Sequence, residues 1–162
     1  IKTNHFIEKT NLYKSIISYV SGNCTLNAKL YYNKELNTIE SKILNDIHKA
    51  QTLVEPIKQN IILLRGFGYN IDLKWKIGDV IEFRSVLSKT CNYNIAKYFA
   101  IAHSNNIFIR KYMLINYGPN SKHIIPDIKI RSMCYKEICE YEFIRVNDKL
   151  KLICIEYDIG FL

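Results

Sequence analysis

Three groups of polar side chains in this 162-residue chain have types and positions suited to chemistry. Arg65 closes the apolar run Ile61-Ile62-Leu63-Leu64 and is followed by Gly66-Phe67. Ser88 and Thr90 end the stretch Phe83-Arg84-Ser85-Val86-Leu87-Ser88-Lys89-Thr90. Glu140 and Glu142 flank Tyr141, just ahead of Phe143-Ile144. Each fragment sets a polar group beside or into an extended apolar run. From different strands, a cation, a hydroxyl pair and a carboxylate pair can converge on one cleft. That set suits a ligand with a diphosphate and a sugar that develops positive charge.

The chemistry of each group follows from its type. A guanidinium offers a planar fork of donors that matches phosphate oxygens, which an ammonium does less well. Gly66 beside it would let backbone approach a ligand closely. Taken singly, Arg65 reads equally as a surface arginine at a strand end. Strand alternation puts Ser88 and Thr90 on one face and Lys89 on the other. Two hydroxyls on one face can orient a carboxylate and a ribose hydroxyl, although such pairs are also ordinary on strands. If their segment is extended, Glu140 and Glu142 also share a side, where mutual repulsion would raise one pKa. Paired carboxylates serve glycosidic chemistry through an oxocarbenium-like transition state. A solvated strand edge gives the same pattern, and Glu137 lies nearby.

Metal and nucleophile chemistry find less support. His5, His48, His103 and His123 are scattered, with no HExxH or HxH spacing. The five cysteines, Cys24, Cys91, Cys134, Cys139 and Cys154, contain no CxxC, so no zinc site is expected. Buried free thiols in a reducing compartment are the expectation. Cys91 with a distant histidine is only an inventory of residues. Asn23-Cys24-Thr25 is a glycosylation sequon, with nothing else pointing to secretion. No GxGxxG or phosphate-binding P-loop sequence occurs.

The elements that must position these groups divide into helices first and strands afterwards. Phe6, Tyr13, Ile16, Ile17 and Val20 recur at helical spacing until Ser21-Gly22-Asn23. A second helix is predicted from Leu36 to Leu53, with Leu36, Ile39, Ile43, Ile47 and Ala50 inward and Glu40, Lys42, Asp46 and Lys49 mostly on the other faces. Beyond Pro56, strand-like runs cover Ile61–Arg65, Val80–Leu87, Ile107–Tyr117, Ile124–Ile130, Tyr141–Val146 and Lys151–Tyr157. Gly78-Asp79 and Gly118-Pro119-Asn120 read as turns, and Asn147-Asp148 as a tight hairpin. One helix, from about Asn94 to Ala102, interrupts them, with Ile95, Tyr98, Phe99 and Ala102 as its apolar side. The expectation is a single α+β domain over residues 1–162. Its helical part covers about 1–56 and its antiparallel-rich sheets about 60–160.

Composition sets the limits. Hydrophobic residues at 48% and charged residues at 23% are ordinary for a soluble globular chain. No apolar run approaches the roughly 20 residues of a membrane-spanning helix. The net charge of +8 raises a nucleic-acid partner. Yet the basic residues form no dense block beyond Arg110-Lys111, and abundant Lys, Ile, Asn and Tyr fit an AT-rich genome. The chain opens at Ile1 with no signal-peptide pattern, which reads as a processed form or part of a larger parent.

In order and spacing, the three fragments resemble the Arg–Ser–Glu class of mono-ADP-ribosyltransferases. That class includes clostridial binary-toxin enzymes and vertebrate arginine-specific enzymes. Arg65 matches the arginine of its Y/LRG strand. Phe83 to Thr90, with Ala96 and Phe99, resembles its FxSxxSTS stretch and the helix that follows. Glu140-Tyr141-Glu142-Phe143 resembles its ExE motif, and Ile17, Tyr19, Asn27 and Leu30 resemble its helical region. The likeness runs from about residue 13 to 157.

The resemblance implies N-terminal helices followed by two roughly perpendicular, mainly antiparallel sheets around an NAD cleft. It implies NAD as substrate, no metal, and a protein acceptor, with Glu at the first ExE position going with arginine. Arg65, with Gly66, would meet the diphosphate or adjoining ribose. Ser88 would hold Glu142 and touch the nicotinamide ribose, while Thr90 would brace the loop. Glu142 would stabilise the oxocarbenium-like centre, and Glu140 would orient and deprotonate the acceptor. Phe99 would either stack near the nicotinamide or serve the core face of its helix. The sequence departs from the family at Lys89 and Thr90, which replace the last two residues of STS. It also departs at Ala102, where toxin members carry an arginine. An NAD glycohydrolase and a non-catalytic binding module of the same fold are the alternatives, with action in a reducing intracellular compartment such as a host cytosol.

Overall fold

The computed structural model describes residues 3–21, 25–59, 61–69, 73–101, 108–117, 122–126 and 142–159. Four helices and four strands are present among them. A short 3-10 helix, His5–Lys9, leads into α1 (Tyr13–Val20), α2 (Leu26–Tyr31) and α3 (Thr38–Leu53). Then come β1 (Leu64–Tyr69), β2 (Val80–Lys89), α4 (Tyr93–Ile101), β3 (Phe108–Asn116) and β4 (Phe143–Ile159). The strands form one open antiparallel sheet in the order β1-β3-β4-β2, so the expected α+β class holds. Glu140 and Ala102 lie outside the described residues. So do Tyr141, Glu137, Cys24, Cys134, Cys139, the turn Gly118-Pro119-Asn120 and the last four residues of the run Ile124–Ile130.

The chain forms two compact units, and β2 and β4 each contribute to both. The first unit is Ile1–Asn60, Phe83–Ser88 and Asn120–Asp148. The second is Ile61–Glu82, Lys89–Pro119 and Lys149–Leu162.

In the first unit, α3 starts at a capping box. Asn37 Oδ1 accepts from the Glu40 N–H at 2.8 Å, and Glu40 Oε1 accepts from the Asn37 N–H at 3.0 Å. Two orphan donors of the first turn are thereby satisfied. Ile43, Ile47 and Ala50 of α3 meet Ile16, Leu26, Val54, Val86, Ile124, Ile144 and Val146 in one core. The sequence misassigned three positions here. Ile39 is 72% exposed, because the first turn of α3 turns Glu40 rather than Ile39 toward Thr25 and Lys29. Glu40 and Asp46, expected on solvated faces, are buried. Glu40 accepts from Lys29 Nζ at 2.6 Å and Thr25 Oγ1 at 2.7 Å, and Asp46 from Ser15 Oγ at 2.6 Å and Lys42 Nζ at 2.8 Å. These carboxylates tie α2 and α1 to α3.

The Glu40 network has a measurable consequence. Bonds from Lys29, Thr25 and the Asn37 N–H hold the Glu40 carboxyl down to about 2, from an ordinary 4.5. Burial would raise Asp46, but the bonds from Lys42 and Ser15 outweigh it and the carboxyl is lowered. A carboxyl lowered in the folded state is protonated first in the unfolded chain. Its stabilisation is therefore complete above 4.5 and is lost as pH falls through that value toward about 2. Glu40→Gln should flatten the fall in unfolding free energy across that window, as read by urea titrations at stepped pH. An unchanged slope would remove Glu40 as a source of acid lability.

In the second unit, β1 pairs with β3 in the register Leu64↔Ile115 to Tyr69↔Arg110. The run read from the sequence was Ile61–Arg65, whereas β1 spans Leu64–Tyr69. Gly66 is instead interior to the strand, and α4 packs directly against it. A Cβ at Gly66 would lie 1.6 Å from the Ala96 carbonyl oxygen. Ala96 of α4 packs with Leu64 and Met113 in one cluster, and Ile95 and Ala100 of the same helix are also buried. On the opposite face of the β1–β3 pair, Phe67 and Tyr112 gather with Trp75, with ring centroids 5.2 to 6.0 Å apart. Gly78-Asp79 makes the expected turn, with Gly78 at φ +98°.

The hairpin expected at Asn147-Asp148 does not form. β4 runs on through both residues, with Asn147 in the left-handed region at φ 55° and Asp148 buried. The two halves of β4 have different partners: Ile144 bridges to Ile124, whereas Leu150 to Ile159 pairs with β3. The dipeptide therefore marks a change of partner along one strand. Cys91 is exposed and Cys154 half-buried, so the expectation of buried thiols does not hold at Cys91.

Candidate active site

The first unit assembles a short polar chain on β2 and at the head of β4. It begins with the Val86 peptide. The side chain of Val86 is buried in the core, which leaves its backbone groups in need of partners. Asn27 of α2 supplies both. Its Oδ1 accepts from the Val86 N–H at 2.9 Å, and its Nδ2 donates to the Val86 carbonyl at 2.8 Å. A side-chain amide thus completes the strand as a neighbouring backbone would.

Two residues further, Ser88 Oγ donates to Glu142 Oε1 at 2.5 Å. Tyr19, from α1, places its hydroxyl 3.0 Å from Ser88 Oγ and 3.1 Å from the Val86 carbonyl. Glu142 immediately precedes β4, where Phe143 and Ile144 are fully buried. Ile144 exchanges two backbone bonds with Ile124, at 2.8 and 2.9 Å. Gln51 of α3 repeats the role of Asn27: its amide accepts from the Val146 N–H at 2.8 Å and donates to the Val146 carbonyl at 3.3 Å. Both strands that carry the pair are therefore held by helix-borne amides. A carboxylate tied by a short charge-assisted bond to a hydroxyl on a pinned strand has a fixed direction. It can stabilise a positive charge that develops in front of it without first reorganising.

The other predicted site residues belong to the second unit. Arg65 is half-buried in β1, opposite Leu114, with Gly66 opposite Met113. Thr90 is buried and exchanges backbone bonds with Leu64 at 2.7 and 2.9 Å. Its Oγ1 accepts from the Asn92 N–H at 3.0 Å, and Asn92 Oδ1 accepts from the Asn94 N–H at 2.9 Å. That sequence of turns leads into α4. Lys89 is buried at 2% exposure. Phe99 is 42% exposed and meets Tyr98 edge-on, with centroids 5.9 Å apart. Of its two readings, the core face is taken by Ile95, Ala96 and Ala100, and Phe99 stands outside it.

The sequence paired Ser88 with Glu142 only through the resemblance, and gave no role to Tyr19, Asn27 or Gln51. Tyr19 and Asn27 had been noted only as matches to the family's helical region; for Gln51 the available signal was polarity, a hydrogen-bonding side chain within an apolar helical pattern. Among the described residues, no group of three or more His, Cys, Asp or Glu is arranged to hold a metal ion. Among them, too, no helix is long and apolar enough to cross a membrane. Comparison with family models, with curated proteins and with solved structures finds no match.

Proposed function

We propose that this chain is an NAD-dependent mono-ADP-ribosyltransferase that moves ADP-ribose from NAD to a protein side chain, with arginine as the acceptor. The observation that carries the reading is the 2.5 Å bond from Ser88 to Glu142. The two residues lie 54 positions apart, and theirs is the contact that the resemblance implies.

In this reading, the bond from the nicotinamide nitrogen to the ribose C1′ breaks, and its electron pair leaves with nicotinamide. Glu142 stabilises the oxocarbenium-like ribose, and Ser88 keeps the carboxylate aimed. Arg65 binds the diphosphate through its fork of donors, with Gly66 beside it. Thr90 steadies the loop, and the exposed ring of Phe99 is available to stack on the nicotinamide. Glu140 takes the proton as an acceptor guanidinium nitrogen attacks C1′. The four-stranded sheet is then one of two roughly perpendicular sheets around the NAD cleft, and the setting is a reducing intracellular compartment.

The test is incubation of the purified chain with NAD labelled in the adenylate, together with a cell lysate. Label on protein, released by hydroxylamine as an arginine linkage is, is the expected result. Free ADP-ribose alone would assign a glycohydrolase, and label on nucleic acid would return the basic charge to prominence. No release of nicotinamide under any condition would leave a binding module and overturn the proposal.

A further inference from the structure

We infer that Arg84 of this chain is itself an acceptor of ADP-ribose, modified by the active site of a second copy. The inference rests on the proposed function and names a substrate for it. A guanidinium can attack the ribose only where its nitrogens reach solvent, and the arginines differ in this. Arg65 and Arg110 are half-buried within β1 and β3. The Arg145 side chain is 24% exposed; its Nη1 donates to the Lys122 carbonyl at 2.9 Å, and its Nε lies 3.6 Å from Asp148 Oδ1. Arg131 lies outside the described residues. Among the described residues, Arg84 is the one arginine that is exposed.

Its place on β2 explains the exposure. By alternation, Arg84, Val86 and Ser88 share one face of the strand, and all three belong to the first unit. Arg84 is exposed, Val86 fully buried and Ser88 half-buried, so this face passes from solvent into the core just after Arg84. Asn27 bonds both groups of the Val86 peptide, at 2.8 and 2.9 Å. The Arg84 side chain thus stands in solvent on a strand that is pinned two residues away. Four residues of strand set the Arg84 and Ser88 Cα atoms about 13 Å apart, farther than an arginine side chain extends. Val86, with Asn27 on its peptide, lies between them. Arg84 is therefore out of reach of the Glu142 bonded to its own Ser88 and open to that of another molecule. In the transfer, the bond from the nicotinamide nitrogen to C1′ breaks and its electron pair leaves with nicotinamide. A bond from C1′ to an Arg84 guanidinium nitrogen forms, and the proton that nitrogen loses goes to Glu140 of the modifying copy.

The test uses the whole chain by itself with NAD labelled in the adenylate, and in parallel with agmatine as a small guanidine acceptor. Label released by hydroxylamine should map to the peptide that holds Arg84. The rate of labelling per molecule should rise in proportion to protein concentration, as a reaction between copies requires. Arg84→Lys, a change at an exposed side chain, should lose most of the self-labelling and modify agmatine at the wild-type rate. Glu142→Gln should stay unlabelled by itself and gain label at Arg84 when the Arg84→Lys chain is added. Agmatine modified while Arg84 stays bare would overturn the inference and keep the proposed function. So would an Arg84→Lys chain that labels itself like the wild type. Self-labelling whose rate per molecule ignores dilution would overturn transfer between copies. A chain that releases no nicotinamide with either acceptor would overturn the proposed function, and the inference with it.

Discussion

Glu142→Gln is expected to abolish both NAD hydrolysis and ADP-ribose transfer while leaving the protein folded. The amide has nearly the shape of the carboxylate, and its carbonyl can still accept the Ser88 proton at the distance seen here, 2.5 Å. What disappears is the negative charge beside the ribose as nicotinamide departs. Loss of one preorganised electrostatic group of this kind costs on the order of a hundredfold or more in rate. Glu140→Gln should behave differently. In the proposed reaction Glu140 serves the acceptor, so its amide variant should lose arginine transfer but retain much of the slow hydrolysis, since water still reaches the oxocarbenium face. Nicotinamide release and protein labelling, measured side by side on both variants, decide the matter. Equal loss of both activities in the two variants would end the division of labour. Full activity in Glu142→Gln would remove the Ser88–Glu142 pair from the chemistry.

The Ser88–Glu142 contact was legible only through the family resemblance, since the two local patterns, a serine near the end of an alternating run and a carboxylate just ahead of another, do not by themselves pair residues 54 positions apart. Its supports were not. Asn27 and Val86 are 59 positions apart, and Gln51 and Val146 are 95 apart. An amide that completes a distant strand has no periodicity of its own. Ile39 and Glu40 exchange expected places for a related reason. Hydrophobic spacing assigns faces as though a helix were packed along its whole length, whereas α3 buries a carboxylate at its start against Lys29 and Thr25. The Asn147-Asp148 signal was locally sound, since Asn147 does adopt a left-handed conformation. The dipeptide could not say that both halves of the strand would continue in one direction toward different partners.

Gly66→Ala separates two accounts of one residue and should be the most damaging single-methyl change in the second unit. The sequence suggests that Gly66 lets backbone approach a ligand. The structure shows the space above it already occupied: a Cβ would stand 1.6 Å from the Ala96 carbonyl oxygen, 2.5 Å from the Ala96 carbonyl carbon and 3.0 Å from the Ala100 nitrogen. All three are helix backbone, which cannot swing aside as a side chain would. To admit the methyl, α4 must lift from β1 and loosen Ala96 from Leu64 and Met113. Overpacking against a rigid neighbour costs about 3 kcal/mol, which corresponds to a drop of about 10 °C in Tm for a chain of this size. Gly78→Ala offers the contrast. Nothing lies within 4 Å of its Cβ position, and the cost there comes from backbone at φ +98°, about 1 kcal/mol. Urea unfolding of both variants, with NAD affinity measured by calorimetry on each, gives the answer. A Gly66→Ala protein as stable as the wild type but unable to bind NAD would restore the ligand-approach account and dismiss the seat of α4 on β1.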